Sequence, residues 1–217
     1  MRWFRRDRSR KSRFVEMFGD ELSPKFQLSK IGDLFEVGSS KRVFQKDWKT
    51  EGVPFYRARE VVKLSKEGRV DNELFISEEM YKEYSDLYGV PRSGDILVTG
   101  VGTLGVCYIV KDEDRFYYKD GNIICLHSLG KVDSRYVYEC YRQPYVIKQI
   151  KANSSGSTVG TYTIDSARKT VIPLPPLALQ REFAAFVAEV DKSKFAVRKR
   201  LEKARFLYRA KLQEYFG

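Results

Sequence analysis

Thr99-Gly100-Val101-Gly102-Thr103-Leu104-Gly105 carries G-x-G-x-x-G directly behind a run of strand-forming residues, the spacing that lets a backbone turn approach a dinucleotide pyrophosphate. That chemistry needs a helix next, because the helix N-terminus holds the phosphate charge. Here the β-branched and aromatic run Val106-Cys107-Tyr108-Ile109-Val110 follows, so strand, loop and second strand are expected. The glycines then serve a tight turn or a close approach to a ligand. A metal-dependent nuclease would pair a carboxylate with (Asp/Glu)-x-Lys; Asp47-Trp48-Lys49 with Asp33 is the nearest match, and such short matches arise by chance. Leu174-Pro175-Pro176-Leu177 lacks the Asp or Asn and the aromatic that flank an amino-methyltransferase motif. The one histidine, His127, sits inside a strand pattern, where a hydrogen-bonded structural role is expected over a Ser-His or Cys-His nucleophile. Cys107, Cys125 and Cys140 have no C-x-x-C spacing, which disfavours a zinc or disulfide framework and reads as core filler. No catalytic residue and no metal ligand is nominated.

Polar, small and basic residues gather instead in loops whose side chains suit phosphate and base-edge contact. One loop runs from Gly38 through Ser39, Ser40, Lys41 and Arg42 to Lys46, a second holds Arg57 and Arg59, and a third is Asn153 to Gly160 with Ser154, Ser155, Ser157 and Thr158. Thr99 and Thr103 of the glycine loop and Tyr162 beyond the third loop complete the candidate DNA-contacting set. The net charge of +11 resides at the ends: residues 1–13 carry +6 and residues 181–217 carry +5, leaving 23 basic and 23 acidic side chains between. DNA binding by the body therefore requires local segregation of charge. Lys25 to Lys49 holds six basic residues against three acids, whereas Asp71 to Asp86 holds six acids and one lysine.

The elements that must position these loops are short. Strands are expected at Leu34–Val37, Val53–Ala58, Leu74–Ile76, Asp95–Thr99, Val106–Val110, Phe116–Lys119, Ile123–His127 and Thr161–Ile164, and helices at Glu78–Tyr88 and Ser134–Lys151, the latter broken near Pro144. This is a mixed α+β pattern, a single twisted sheet with helices to one side. The prolines of Ile172-Pro173-Leu174-Pro175-Pro176-Leu177 impose an extended lead-in. No Gly or Pro interrupts Gln180 to Phe216, and an apolar seam runs through Phe183, Val187, Val190, Val197, Leu201, Ala204 and Tyr208 at alternating spacings of four and three, broken only where Lys194 holds a seam position beside Phe195. A helix of that length overhangs a body of this size, so pairing with another helix along the seam is expected. The expected division is a basic helical tail over 1–29, an α+β domain over 30–175 and a spacer helix over 176–217. Arg13-Phe14-Val15-Glu16-Met17-Phe18-Gly19 also matches Lys211-Leu212-Gln213-Glu214-Tyr215-Phe216-Gly217 in character, as if the chain were one period of a longer repeat. At 217 residues, 42% hydrophobic and 32% charged, the chain is long enough for its own core; it has no apolar run of membrane-spanning length, no secretory h-region, and a cytoplasmic location is expected.

The order of these segments resembles the specificity subunits of type I restriction-modification systems. Lys30-Ile31-Gly32-Asp33-Leu34-Phe35-Glu36, Val53-Pro54-Phe55-Tyr56-Arg57-Ala58, Leu74-Phe75-Ile76-Ser77-Glu78-Glu79, Gly94-Asp95-Ile96-Leu97-Val98-Thr99 with Gly102-Thr103-Leu104-Gly105, Ser155-Gly156-Ser157-Thr158 and Ile172-Pro173-Leu174-Pro175-Pro176-Leu177 with Gln180 are similar to successive family motifs, over residues 30–217. The resemblance implies a non-catalytic DNA target-recognition domain that reads one half of a bipartite site. It implies methyltransferase and restriction partner subunits, which bring S-adenosylmethionine, ATP and Mg to chemistry this chain does not perform. Family members usually carry two such domains; with one, a homodimer through the long helix is expected, or a recombination cassette that works only when joined. A coiled-coil scaffold, or a non-specific nucleic-acid binder using the basic termini, is the alternative.

Overall fold

The computed structural model describes residues 3–21, 23–152 and 160–216, without the side chains of 3–9 and 214–216. Along the chain run α1 (Trp3–Phe18), β1 (Leu28–Lys30), α2 (Ile31–Leu34), β2 (Phe35–Gly38), a 3-10 turn (Gln45–Asp47), β3 (Val53–Tyr56), α3 (Ala58–Glu67), β4 (Phe75–Ile76) and α4 (Glu78–Tyr88). They are followed by β5 (Ile96–Thr99), β6 (Cys107–Ile109), β7 (Tyr117–Tyr118), β8 (Ile123–Ser128), α5 (Ser134–Cys140), α6 (Pro144–Ala152), α7 (Ile164–Lys169), β9 (Val171–Pro173) and α8 (Leu177–Phe216).

The mixed α+β class is as expected, but the strands form three sheets rather than one: an antiparallel β2-β8-β5-β6, a β4-β3-β7 sheet in which β3 and β7 run parallel, and a β1-β9 pair. The placement of the helices also departs from expectation, and the reason lies in β8. Its uninterrupted apolar run, Ile123-Ile124-Cys125-Leu126, is buried on both faces, Ile124 and Leu126 toward one cluster and Ile123 and Cys125 toward another. Strand neighbours alternate in direction. Ile96, Val98, Ile124 and Leu126 share a cluster with Phe14, Tyr136, Val146 and Phe183, whereas Leu97, Tyr108, Ile123 and Cys125 meet Val61 and Leu64 of α3. Helices therefore cover both faces of the central sheet, not one.

Helix α3 replaces the end of an expected strand. It starts with Arg57 donating its backbone N–H to Glu60 Oε2 at 2.9 Å, and it ends at Gly68, whose φ of +74° closes the last turn through a hydrogen bond to Leu64 O. The expected strand Thr161–Ile164 is not formed either: Thr163 Oγ1 accepts from Ser166 N at 3.1 Å, so this β-branched residue caps α7. The α5/α6 break falls at Pro144, as the proline requires. Gln180 is buried at the start of α8, where its Oε1 accepts from Asp133 N and its Nε2 donates to Pro175 O, clasping the proline lead-in to α5.

The long helix is present from Leu177 to Phe216, and in the single chain its first half packs on the body of the protein. Phe183 and Val187 are fully buried against α1 of the same chain, with ring centroids 5.5 Å from Phe183 to Phe14 and 5.3 Å to Phe18. The two helices run antiparallel, since Arg10 pairs with Asp191 and Arg13 with Glu182. Phe183 and Val187, expected to pair between copies, are thus covered in the single chain by α1 instead. Val197, Leu201, Ala204 and Tyr208 remain exposed, and Val190 is half-buried. Cys107, Cys125 and Cys140 are free and buried, and burial pushes all three thiols up. Among the described residues no helix is long and apolar enough to cross a membrane.

Candidate nucleic-acid interface

Three of the loops singled out in the sequence, with Tyr162 beside them, meet at one end of the central sheet, where β2 and β5 finish and β8 begins. The segment that joins them, Tyr118 to Ile123, carries no nominated residue. Ser39 Oγ donates to Ile123 O at 2.9 Å and Ser40 Oγ to Tyr118 O at 2.6 Å, so the two hydroxyls hold the 38–46 loop in place rather than facing outward. Lys119 N donates to Tyr56 O at 2.8 Å, which brings in the Arg57 loop. Gly100 N donates to Asn122 O at 2.8 Å, which brings in the glycine loop, and Tyr162 N donates to Gly100 O at 2.9 Å. These backbone bonds are local consequences of strand ends with leftover donors and acceptors.

Around this end the cations lie in two states. Lys41 is exposed with its ammonium 5.0 Å from the Tyr88 ring centre, Lys46 is exposed on the 3-10 turn, and Arg42 is exposed while its Nε pairs with Asp120 at 2.8 Å. Lys119 lies 5.7 Å from the Trp48 ring centre. Loosely held cations beside aromatic faces can exchange toward phosphate at little cost. Arg57 and Arg59 are different. Both grip Glu60, which is 4% exposed, Arg57 Nη2 at 3.1 Å and Arg59 Nε at 2.5 Å, and Arg59 also pairs with Glu73. Burial alone would raise the Glu60 carboxyl, but its hydrogen bonds to Arg57 and Arg59 outweigh that and hold it below its ordinary value. These arginines are committed to an internal acid.

Two nominated residues face the interior. Thr99 is fully buried, its hydroxyl donating to Thr103 O and accepting from Val106 N at 3.0 Å. Tyr162 is 1% exposed, with its phenol 2.7 Å from Thr170 Oγ1 and 3.2 Å from Tyr141 Oη. Both shape the loop from behind and present no atom to a DNA ligand, which corrects their nomination as contacts. Thr103 is exposed. Ser154, Ser155, Ser157 and Thr158 lie outside the described residues. The glycine loop leads into β6, not a helix, so it offers no helix N-terminus to a pyrophosphate. Its glycines answer to packing: a Cβ on Gly100 would stand 2.7 Å from Tyr162 O, and one on Gly105, at φ +73°, 2.6 Å from Ile150 Cδ1.

The remaining chemical groupings do not form a reaction centre. Asp33 lies before β2 and Asp47 beyond its far end, so a four-residue strand separates the two carboxylates of the nuclease match. Asp95, Cys125 and His127 bring three ligand-type atoms within 4.8 Å of one another. Asp95 is engaged through both oxygens: Oδ1 accepts from Ser128 N at 2.8 Å, and Oδ2 accepts from Arg92 N at 2.8 Å and lies 2.9 Å from His127 Nδ1. Burial would raise this carboxyl, yet the His127 and backbone hydrogen bonds together hold it below its ordinary value. Cys125 is a thiol there, so the donor set suits a hydrogen-bonded brace between β5 and β8 better than a metal.

Sequence reasoning missed Lys119, Asn122, Trp48, Tyr84 and Tyr88. The turn-type run Lys119-Asp120-Gly121-Asn122 between two strands was the available signal. Tyr84 and Tyr88 stand one helical turn apart on the acidic helix α4, and their edge-to-face rings, 5.6 Å apart, turn toward the 38–46 loop, Tyr84 Oη donating to Arg42 O at 3.3 Å.

Residues 24–204 match the family described as Type I restriction modification DNA specificity domain. Over 174 residues the chain is 28% identical to a putative type I restriction enzyme specificity subunit of Haemophilus influenzae, an alignment covering 79% of this chain and 41% of that protein. Its fold is similar to the HsdS subunit from Thermoanaerobacter tengcongensis, with a TM-score of 0.60 at 14% identity over 89% of this chain and 45% of that one. It is also similar to the type I restriction-modification S subunit from M. genitalium, with a TM-score of 0.58 at 18% identity over 98% and 53%. A chain from a structure describing complex assembly and conformational transition of the type I R-M system gives a TM-score of 0.64 at 17% identity over 94% and 49%. The chain thus spans about half the length of the relatives it matches.

Proposed function

Because this chain belongs to the type I restriction-modification DNA specificity family, we propose that it reads one half of a bipartite double-stranded DNA site and directs adenine methylation and cleavage performed by methyltransferase and restriction partner subunits. The observation that carries this reading is the convergence of the 38–46, 57–59 and 99–105 loops and residues 160–162 on Tyr118–Ile123, with Lys41, Arg42, Lys46 and Lys119 around them. A rigid sheet end with exchangeable cations can place loops against phosphates while small polar and glycine-bearing loops approach base edges. The chain itself is assigned no catalytic step; S-adenosylmethionine, ATP and Mg belong to the partners. We propose further that the other half of the site is read by a second copy of this chain joined through α8, in the cytoplasm. Two-fold symmetry would then make the site palindromic.

Mapping modified bases across the genome of the source cell, with the gene intact and deleted, tests this. Loss of adenine methylation at one bipartite motif is the expected result, and palindromy of that motif would support the homodimer. Unchanged methylation at every motif refutes the reading in favour of a scaffold or a non-specific binder.

A further inference from the structure

The groove that holds α1 is lined by Tyr136, Phe183 and Val187. Phe14 and Phe18 fill it at 1% and 0% exposure, stacking on and edging against Tyr136 at 6.0 and 5.0 Å. At its rim Arg13 Nη2 meets Glu182 at 3.4 Å, and deeper in Arg10 Nη1 meets Glu139 at 3.2 Å. The residues that enter the groove, Arg13, Phe14 and Phe18, belong to the stretch that recurs at the other end of the chain as Lys211, Leu212 and Phe216.

Laying the second stretch into the groove fixes a register for two α8 helices. If Leu212 and Phe216 of a second copy stand where Phe14 and Phe18 stand, the helices run antiparallel, as α1 and α8 do, and a two-fold axis crosses them near Lys199. In that register Val197 comes opposite Leu201 and Val190 opposite Tyr208, so the seam meets itself, although the seam was read from spacing and the register from the α1 contacts. Lys211 falls beside Glu182 as Arg13 does. Val197, Leu201 and Tyr208 are 48%, 50% and 66% exposed in the single chain, a stripe that such a partner covers.

We infer that this groove is a shared seat, occupied by α1 of the same chain in the monomer and by the 208–216 end of a second copy's α8 in the dimer, so that α1 is an internal competitor of dimerisation. The inference rests on the homodimer proposed above. The two occupants differ in one respect: the position matching Arg10 is Tyr208, so the incoming helix brings no guanidinium to Glu139, which keeps Arg142 at 3.5 Å. Intramolecular α1 is thus the better-paired occupant, and exchange is driven by concentration.

Sedimentation equilibrium on the full chain and its variants tests the competition. Arg13→Glu sets two acids, Glu16 and Glu182, against α1 at a partly exposed position and leaves the α8 end untouched. The expected result is about tenfold tighter dimerisation, because two α1 contacts are weakened per dimer. Arg10→Ala is expected to tighten the dimer further, with circular dichroism confirming a folded monomer, and Leu212→Asp to weaken it. If the wild type dimerises but Arg13→Glu leaves the constant unchanged or weaker, or Leu212→Asp has no effect, the shared seat is refuted while dimerisation stands. If the wild type and all variants stay monomeric across the micromolar range, the homodimer and the shared seat fall together.

Discussion

Replacing single cations around the sheet end separates those that meet phosphate from those that hold the fold. Lys46 is exposed on its 3-10 turn, so Lys46→Gln removes a charge without disturbing packing. Each phosphate neutralised on duplex DNA contributes about 0.9 to the slope of log K against log salt. Between 50 and 200 mM salt, a fourfold change, one contact therefore accounts for roughly a 3.5-fold loss of affinity. Fluorescence anisotropy of a labelled duplex titrated at four salt concentrations should give a slope shallower by about 0.9 for Lys46→Gln, and a similar loss on every duplex sequence. Arg42→Gln should change the slope by less, because Arg42 must leave Asp120, 2.8 Å from its Nε, to reach phosphate. Arg57→Gln should leave the slope alone and instead lower stability by about 1–2 kcal/mol, since Glu60 stays buried with one partner fewer. A wild-type slope that Lys46→Gln does not move, or a slope that falls with Arg57→Gln at unchanged stability, would refute this division of the cations.

Asp95→Asn should destabilise the fold by about 2–3 kcal/mol at pH 7 in urea unfolding, because an amide cannot accept from both Ser128 N and Arg92 N while facing His127. The native Asp95 carboxyl is held below its unfolded value, so its contribution is complete above about pH 4 and is lost as pH falls through the native value; the gap between wild type and variant should narrow there, and a gap constant with pH would contradict the assignment. Gly100→Ala should cost about 1–3 kcal/mol and weaken DNA binding, since its Cβ would press on Tyr162 O at 2.7 Å and part the glycine loop from the 160–162 segment; calorimetric melting with the anisotropy titration measures both. Ser77→Ala should cost about 1 kcal/mol by thermal melting, through loss of the N-cap bond from Met80 N to Ser77 Oγ at 3.2 Å, and leave DNA binding unchanged.

Most strands of the central sheet were legible because their apolar runs are bounded by turn residues, and α4 because Ser77 caps a run of helix formers. Helix α3 was not, since it begins two residues after β3 and its cap is an Arg57–Glu60 pairing that carries no Ser/Asp signal. The covering of both faces of the central sheet was hidden for a different reason: an apolar run such as Ile123–Leu126 says that a strand is buried twice, not what covers each face. At the candidate interface, composition located the loops, but burial decided which of their residues face outward. Thr99 and Tyr162 look like surface hydroxyls in sequence and become internal ties because Val106 N, Thr170 and Tyr141 surround them. The seam on α8 was legible as a seam, whereas its first partner, α1, was marked only by the likeness of the chain's two ends.

The three sequestered thiols make the chain's own opening measurable by chemistry. Thiolate is the reacting species, and in Cys107, Cys125 and Cys140 both access and ionisation are suppressed while the fold is closed. A thiol reagent should therefore report the rate at which the structure opens. Cys125 lies in the cluster beneath α3, whereas Cys107 and Cys140 lie in the cluster that also contains Phe14 and Phe183. Comparing their labelling rates, resolved by mass after digestion, would show whether the two faces of the central sheet come apart together or one before the other.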